Sequence, residues 1–152
     1  LREQMATNKV EFDREGYFIS IVYYGPISLD DVEAVREEAL RLSKKHFCFK
    51  LLTDFREASF DLSTTDIMDL PDSTAKVYSE HGMSAGQVKR ALVVGKKSLS
   101  LSFLETVSLN RGQLVKIFKD INQAKSWLLM DHRMQPAKTE SIGKDKDLQK
   151  YK

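Results

Sequence analysis

Several features that mark other classes of protein are scarce or missing in this sequence. A single cysteine, Cys48, cannot form a disulfide framework, which predicts a protein of the reducing cytoplasm. No apolar run approaches the roughly 20 residues that a membrane span needs, and the first residues lack the apolar core of a signal peptide. The 24 basic and 22 acidic side chains leave a formal net charge of only +2, whereas a dedicated nucleic-acid-binding protein would normally show a basic stripe. We therefore expect a cytoplasmic location and no nucleic-acid partner.

Motifs of catalytic, metal and cofactor sites are also missing. The sequence has neither the G-x-G-x-x-G fingerprint of dinucleotide-binding proteins nor the G-x-S-x-G elbow of serine hydrolases. His46, His81 and His132 are far apart in sequence, and no pair has the spacing of metal ligands. Cys48 lies in an apolar segment, where a buried thiol is unreactive. These absences predict a non-catalytic protein without a metal or a cofactor.

The length and composition suit one α/β domain. A chain of 152 residues with 41% hydrophobic and 30% charged residues is long enough for one core and too short for two ordinary domains. We place the domain at residues 8–131. Residues 1–7 are interpreted as an N-terminal extension that is partly a tag. Residues 132–152 are predicted to be a flexible charged tail, because they have no apolar stripe to bury.

Apolar runs and helix signals alternate along the chain in the order β-β-α-β-α-β-α-β-α. The predicted strands are Asn8–Asp13, Tyr17–Tyr24, an apolar strand from Phe47 to Asp54, Lys89–Gly95 and Gln113–Lys119. The predicted helices begin at Ser28, at Ser63, at about Leu99 (to Asn110) and at Asp120. The first two strands form an antiparallel hairpin in which Gly16 supplies a positive φ, and Gly25-Pro26 ends the second strand. Helices between the later strands imply parallel crossovers, so the fold class is α/β with a mixed sheet of about five strands and four helices.

Capping and breaking residues indicate where the first two helices begin and end. Ser28 caps the first helix, and Ser63 forms a capping box with Asp66 at the start of the second. Pro71 should kink the second helix or make it restart, because proline cannot donate to the preceding turn. Gly82 is predicted to end that helix.

The first and last helices are predicted to be amphipathic. The apolar stripe of the first helix consists of Val32, Val35, Ala39 and Leu42. Its outer, solvated face consists of Glu33, Arg36, Glu37, Arg41 and Lys44. In the last helix we expect Trp127 to be buried against the sheet, with the neighbouring Phe118 also in the core.

Charged and hydroxyl residues cluster between the central strand and the second helix. They are Asp54, Arg56, Glu57, Asp61, Ser63 and Thr64. A strand end that leads into a helix is where open α/β sheets usually place a ligand or partner surface, so we interpret this turn as an interaction or regulatory surface. The carboxylates can be interpreted as ligands of a cation, but we favour ordinary surface ion pairs with Arg56, each of which contributes little.

A second candidate follows the fourth strand. Lys96, Lys97 and Ser98 precede a predicted helix N-terminus, where an anion can bind. They depart from the phosphate-binding loop motif, because the upstream glycine is missing and a second lysine displaces the serine. A solvated loop is the default interpretation of these residues.

The order of elements and two stretches of sequence resemble the SpoIIAA-like fold. The stretches are Leu-Leu-Thr-Asp-Phe-Arg-Glu-Ala at 51–58 and Ile-Phe-Lys-Asp-Ile-Asn-Gln-Ala-Lys-Ser-Trp-Leu at 117–128. Proteins with this fold include the STAS domains of anti-sigma factor antagonists and small bacterial proteins of a largely uncharacterised STAS or CRAL-TRIO-like branch. The resemblance covers roughly Val10 to Leu129. It implies a non-catalytic role in protein interaction or regulation.

In the anti-sigma factor antagonists an Asp-Ser-Ser-Gly turn follows the central strand, and its first serine is phosphorylated by the partner kinase. The resemblance places Ser63 at the phosphorylated position and Thr64 after it. The match is incomplete, since Leu62 replaces the aspartate, Thr65 replaces the glycine, and Asp61 is displaced by one position. Ser63 is therefore interpreted either as a phosphorylation switch or, by default, as a plain helix cap.

Together these patterns predict a protein-interaction or regulatory module with a protein partner. The alternative, implied by the CRAL-TRIO-like side of the resemblance, is binding of an apolar or lipid-like ligand, with contact to a membrane surface. A sizeable apolar cavity beneath the helix that contains Pro71 would favour the alternative. A filled core would favour the interaction module.

Overall fold

The computed structural model describes residues 8–60, 63–95 and 113–130. The strands are β1 (Lys9–Asp13), β2 (Phe18–Ile27), β3 (Lys50–Phe60), β4 (Lys89–Val93) and β5 (Leu114–Phe118). The helices are α1 (Leu29–His46), α2 (Thr64–Glu80) and α3 (Ile121–Leu129), and a short 3-10 turn (Ala85–Gln87) precedes β4.

These elements confirm the α/β class, but their order differs from the predicted one. The described residues contain three α-helices, against four predicted, and run β-β-α-β-α-β-β-α. The helix predicted over Leu99–Asn110 lies outside the described residues. The other predictions that lie outside them concern residues 1–7, residues 132–152, Asp61, Lys96, Lys97 and Ser98.

The five strands form one mixed sheet whose spatial order follows the chain, β1-β2-β3-β4-β5. β1 and β2 form the predicted antiparallel hairpin, and each later pair is parallel. In the hairpin turn, Tyr17 rather than Gly16 adopts the left-handed conformation, with a φ of 57°. Gly16 is needed for space instead, because a Cβ atom at that position would collide with the Phe18 ring.

Apolar side chains pack on both faces of the sheet. Neighbouring residues of β3, such as Leu51 and Leu52, point to opposite faces, and both are buried. On one face, α1 and α2 cover a large cluster that includes Ile21, Val35, Ala39, Leu40, Leu42, Leu51 and Tyr78. On the other face, α3 covers a smaller cluster of Phe18, Leu52, Ala91, Val93, Ala124 and Leu128. The predicted apolar stripe of α1 therefore faces the sheet.

β2 and β3 continue past the ends predicted from the sequence. Gly25 and Pro26 do not end β2 but pair with Ala58 and Ser59 of β3. The proline is tolerated because, in the described sheet, β1 pairs only with residues 18–22 of β2, so Pro26 has no ladder to complete on that side.

α2 runs through Pro71 and does not restart there. The proline is buried, and its carbonyl accepts a 2.8 Å hydrogen bond from the side chain of Gln113. This bond ties the middle of α2 to the start of β5. The helix ends just before Gly82, as predicted, and Gly82 has a left-handed φ of 76°.

Trp127 is only partly buried, contrary to the prediction. Ala124 and Leu128 have no exposed surface and dock α3 on the sheet. Trp127 and Phe118 pack at the edge of that cluster, with their ring centroids 5.8 Å apart. The buried Lys89 places its ammonium 4.5 Å from the centre of the Trp127 ring and donates a 2.6 Å hydrogen bond to the Trp127 carbonyl. Trp127 therefore covers a lysine at the end of α3 rather than filling the core.

Candidate functional site

Asp54 and Arg56, two of the predicted site residues, form an ion pair within β3. The Asp54 carboxylate accepts hydrogen bonds from the backbone N–H, Nε and Nη2 of Arg56 at 3.0, 2.9 and 2.8 Å. The Arg56 side chain is 43% exposed and the Asp54 side chain only 13%. The pair thus lies at the surface with its carboxylate turned inward, and both carboxylate oxygens are engaged by the arginine.

The electrostatics of the pair keep both groups charged. Burial raises the pKa of Asp54, but the hydrogen bonds from Arg56 lower it by more, so the net shift is downward. The hydrogen bond to Asp54 raises the pKa of Arg56. A carboxylate held ionised in this way is a poor general acid or base near neutral pH.

A β-bulge determines which side chains β3 exposes. Val22 pairs with Asp54, whereas Tyr24 pairs with Glu57, so β3 carries one extra residue at this point. Neighbouring side chains of a regular strand alternate between faces, but Arg56 and Glu57 are both exposed. The bulge therefore presents two charged side chains in succession.

The first half of the predicted turn between Asp54 and Asp66 is a strand, which corrects the sequence interpretation. β3 continues to Phe60, and the six residues from 55 to 60 extend over about 20 Å. Residues 55–60 are therefore extended and do not form one tight turn with Asp54. The charged residues that suggested a turn belong to the exposed part of β3.

Ser63 caps α2, as predicted. Its Oγ accepts a hydrogen bond from the Asp66 backbone N–H at 3.0 Å, and the Asp66 carboxylate accepts one from the Ser63 backbone N–H at 3.2 Å. Ser63 is exposed, so a partner can reach it from solvent. Thr64 is the first residue of the helix.

A cavity of about 90 Å³ lies on the face of the sheet that α1 and α2 cover. Drug-sized ligands generally occupy pockets of about 300–1,000 Å³, so this space is too small for an acyl chain. Most of its wall is apolar, but Tyr23, Arg36, Tyr78 and Arg90 also line it. A larger depression of about 800 Å³ is a surface groove beside α1, lined mainly by charged and polar side chains.

The predicted placement of Arg36 on the outer, solvated face of α1 is wrong. The residue is half-buried and lines the cavity, and burial lowers the pKa of its guanidinium, with the charge of Arg90 acting in the same direction. A signal for this position was present in the sequence. Arg36 is four residues from both Val32 and Leu40, which places it beside the apolar stripe. Arg90 gives no comparable signal, since it follows Lys89 at the start of β4.

Other kinds of site were sought in the described part of the chain. Within residues 8–60, 63–95 and 113–130, no three His, Cys, Asp or Glu side chains are grouped to hold a metal ion. None of the helices in these ranges is long and apolar enough to cross a membrane. Cys48 is buried, and burial raises the pKa of its thiol, so it is a poor nucleophile.

The five-stranded mixed sheet with helices on both faces defines the chain as an α/β protein. No protein-family model and no curated protein sequence matches it. The chain is similar to the solved structure of an uncharacterized protein from Shewanella loihica PV-4, a member of the DUF3478 family with a SpoIIAA-like fold. The match covers 80% of this chain and 91% of the Shewanella protein. The TM-score is 0.51 at 20% sequence identity. This chain therefore has a SpoIIAA-like fold, which confirms the resemblance found in the sequence.

Proposed function

We propose that this chain is a non-catalytic protein-interaction or regulatory module of the STAS type. The observation that carries the proposal is the small size of the cavity that the described residues form beneath α1 and α2, which is only about 90 Å³. That volume is below the range of pockets that hold lipids or typical substrates. The module then acts through its surface rather than by enclosing an apolar ligand.

The proposed working surface follows the exposed side of β3 to the start of α2. Arg56, Glu57, Ser59 and Ser63 are exposed along this path. Side chains carried by a paired strand and a capped helix are held in place before a partner arrives, so binding orders few additional groups. The sequence prediction also assigned Asp61 and Thr64 to this surface.

Charge reversal at Glu57 tests the surface. Protein bearing Glu57→Arg is cross-linked in its own host, captured and compared with wild type by quantitative mass spectrometry. Glu33→Arg is the matched control, because Glu33 is an exposed glutamate on α1, away from β3. We expect a partner that wild type and Glu33→Arg retain and Glu57→Arg loses, since like charges across an interface are repulsive.

Native mass spectrometry of the same preparations distinguishes the interaction module from the alternative, a protein that binds an apolar or lipid-like ligand. The proposal predicts a mass for the chain without a bound lipid and, at mild activation, a complex with a protein partner. Identical partner profiles for all three proteins, together with a co-purified lipid, would contradict the interaction module.

Regulation through Ser63 is the finer part of the proposal. A phosphate at this position adds negative charge beside Asp66, so it repels an acidic or apolar partner surface. Ser63→Asp should then lose the partner that wild type and Ser63→Ala both retain. Equal capture by all three forms would leave Ser63 as a helix cap only.

A further inference from the structure

Two arginines and two tyrosines line the cavity beneath α1 and α2, together with Thr53 and Thr74. Arg36 comes from α1, Arg90 from β4, Tyr23 from β2 and Tyr78 from α2. The enclosed space is about 90 Å³, whereas a single buried water needs only roughly 10–15 Å³. A molecule of a few non-hydrogen atoms can therefore occupy it.

In the described part of the chain, neither arginine of this cavity forms an ion pair with a carboxylate. Arg36 Nη2 lies 3.4 Å from the Ser73 hydroxyl, and Arg90 Nη2 donates to the Gln113 side-chain oxygen at 2.8 Å. Across the described chain, ion pairs with acidic side chains involve other cationic residues and not these two. Two positive charges beside an apolar cavity are unfavourable unless an anion balances them.

The hydroxyl groups of the two tyrosines have no hydrogen-bond partner among the residues that the structure describes. Tyr23 is 5% exposed and Tyr78 is 2% exposed, and neither hydroxyl forms a hydrogen bond with another described residue. Burial raises the pKa of Tyr23, although Arg36 and Arg90 act in the opposite direction, so the phenol stays protonated and can donate. Neither hydroxyl oxygen is a fully enclosed polar atom without a partner, so each borders open space and can donate to a small molecule that enters the cavity.

We propose that this cavity binds a small carboxylic acid anion with a short apolar body. The guanidinium groups of Arg36 and Arg90 pair with the carboxylate, and the hydroxyls of Tyr23 and Tyr78 donate to its remaining lone pairs. The aliphatic wall that forms most of the cavity contacts the apolar body of the acid. Inorganic phosphate or sulfate fits less well, because burying these ions against that wall removes hydration that the wall cannot replace.

The proposed acid site is separate from the interaction surface on β3. Its residues lie beneath α1 and α2, and none belongs to the path from Arg56 to Ser63. Loss of acid binding in a cavity variant is therefore distinguishable from loss of a protein partner in a Glu57 variant.

Isothermal titration calorimetry of the full chain tests the proposal, with sodium isobutyrate as the probe and isobutyramide as its neutral isostere. We expect isobutyrate to bind and the amide to bind at least about tenfold more weakly, because an amide cannot pair with guanidinium. Arg36→Gln and Arg90→Gln should each reduce isobutyrate affinity about tenfold or more. Arg41→Gln should leave it unchanged, since Arg41 is an exposed arginine of α1 paired with Glu38.

Thermal melts show whether each variant folds. If an arginine variant does not fold, Tyr78→Phe tests whether the cavity binds the acid. It removes one hydroxyl with little change in packing and should weaken isobutyrate binding a few-fold. No binding of isobutyrate by wild type at millimolar concentration would overturn the proposal, as would binding that survives the cavity substitutions. Tighter binding of inorganic phosphate than of isobutyrate would overturn the assignment of a carboxylate.

Discussion

At the scale of single residues, Phe47 and Gly82 occupy equivalent positions after α1 and α2. Both have left-handed backbone, with φ values of 50° and 76°. In each case the N–H of the next residue donates to a carbonyl five residues back, at 2.9 Å. The two helices therefore end in the same motif. Only α2 has the glycine that this motif favours, and α1 has a phenylalanine that is 78% exposed.

The first prediction is that substitutions at these two positions have opposite effects on stability. Phe47→Gly should stabilise the protein by about 0.5–1 kcal/mol, because it removes left-handed strain and little buried surface is lost. Gly82→Ala should destabilise it by about 1 kcal/mol for the converse reason. Urea denaturation beside wild type measures both. A loss of stability in Phe47→Gly would mean that the contact between Phe47 and the Phe49 ring, 5.1 Å away, outweighs the strain.

At the scale of elements, the start of α2 depends on bonds between residues three apart. Ser63→Ala should destabilise the protein by about 0.5–2 kcal/mol, because the Asp66 N–H loses its acceptor. Ser63→Asp should change stability little, since aspartate also caps well and is favoured by the helix dipole. Ser28→Ala is the control from α1, where the Ser28 hydroxyl accepts from the Asp31 N–H at 3.3 Å. Thermal melts compare the variants, and a Ser63→Asp variant as unstable as Ser63→Ala would show that repulsion by Asp66 dominates.

The docking of α3 depends on Leu128 more than on Trp127. Leu128 has no exposed surface, so Leu128→Ala should destabilise the protein by about 2–5 kcal/mol. Substitution of a fully buried tryptophan by alanine destabilises a protein by about 3–5 kcal/mol. Trp127→Ala should destabilise this protein by less, because the ring lies at the edge of its cluster. Chemical denaturation gives both values. A larger loss for Trp127→Ala than for Leu128→Ala would show that the ring's cover of Lys89 stabilises α3 more than burial of Leu128 does.

At the scale of the whole molecule, the sheet separates two apolar clusters that share no buried residue. Ile21 belongs to the cluster under α1 and α2, and Leu128 to the cluster under α3. Ile21→Val should destabilise the protein by about 0.5–1.5 kcal/mol, and its effect should add to that of Leu128→Ala within about 0.3–0.5 kcal/mol. The double variant, measured with both single variants, tests this additivity. A coupling well above that limit would mean that the sheet transmits strain from one face to the other.

Much of the fold can be predicted from the sequence because the relevant contacts are local. The caps at Ser28 and Ser63 each use a partner three residues away, and the apolar stripe of α1 follows from helical spacing. The alternation of strands and helices leads to the parallel sheet, and it supports the resemblance to the SpoIIAA-like fold. The candidate site was predicted less well. The sequence identified the charged residues from Asp54 onward, but whether they form a turn or a strand depends on the pairing partner.

The sequence by itself determined the fold class, the helix starts and the left-handed end of α2 at Gly82, since these depend on hydrogen bonds and periodicity within a few residues. Only the tertiary structure decided how far β3 extends, because residues 58–60 are held in the strand by pairing with residues 25–27 of β2. Only the tertiary structure brought Arg36 and Arg90 to one cavity, although they are 54 positions apart in the chain. Contacts of this kind arise from the packing of α1 and α2 on the sheet, and no local pattern encodes which distant side chains share a space.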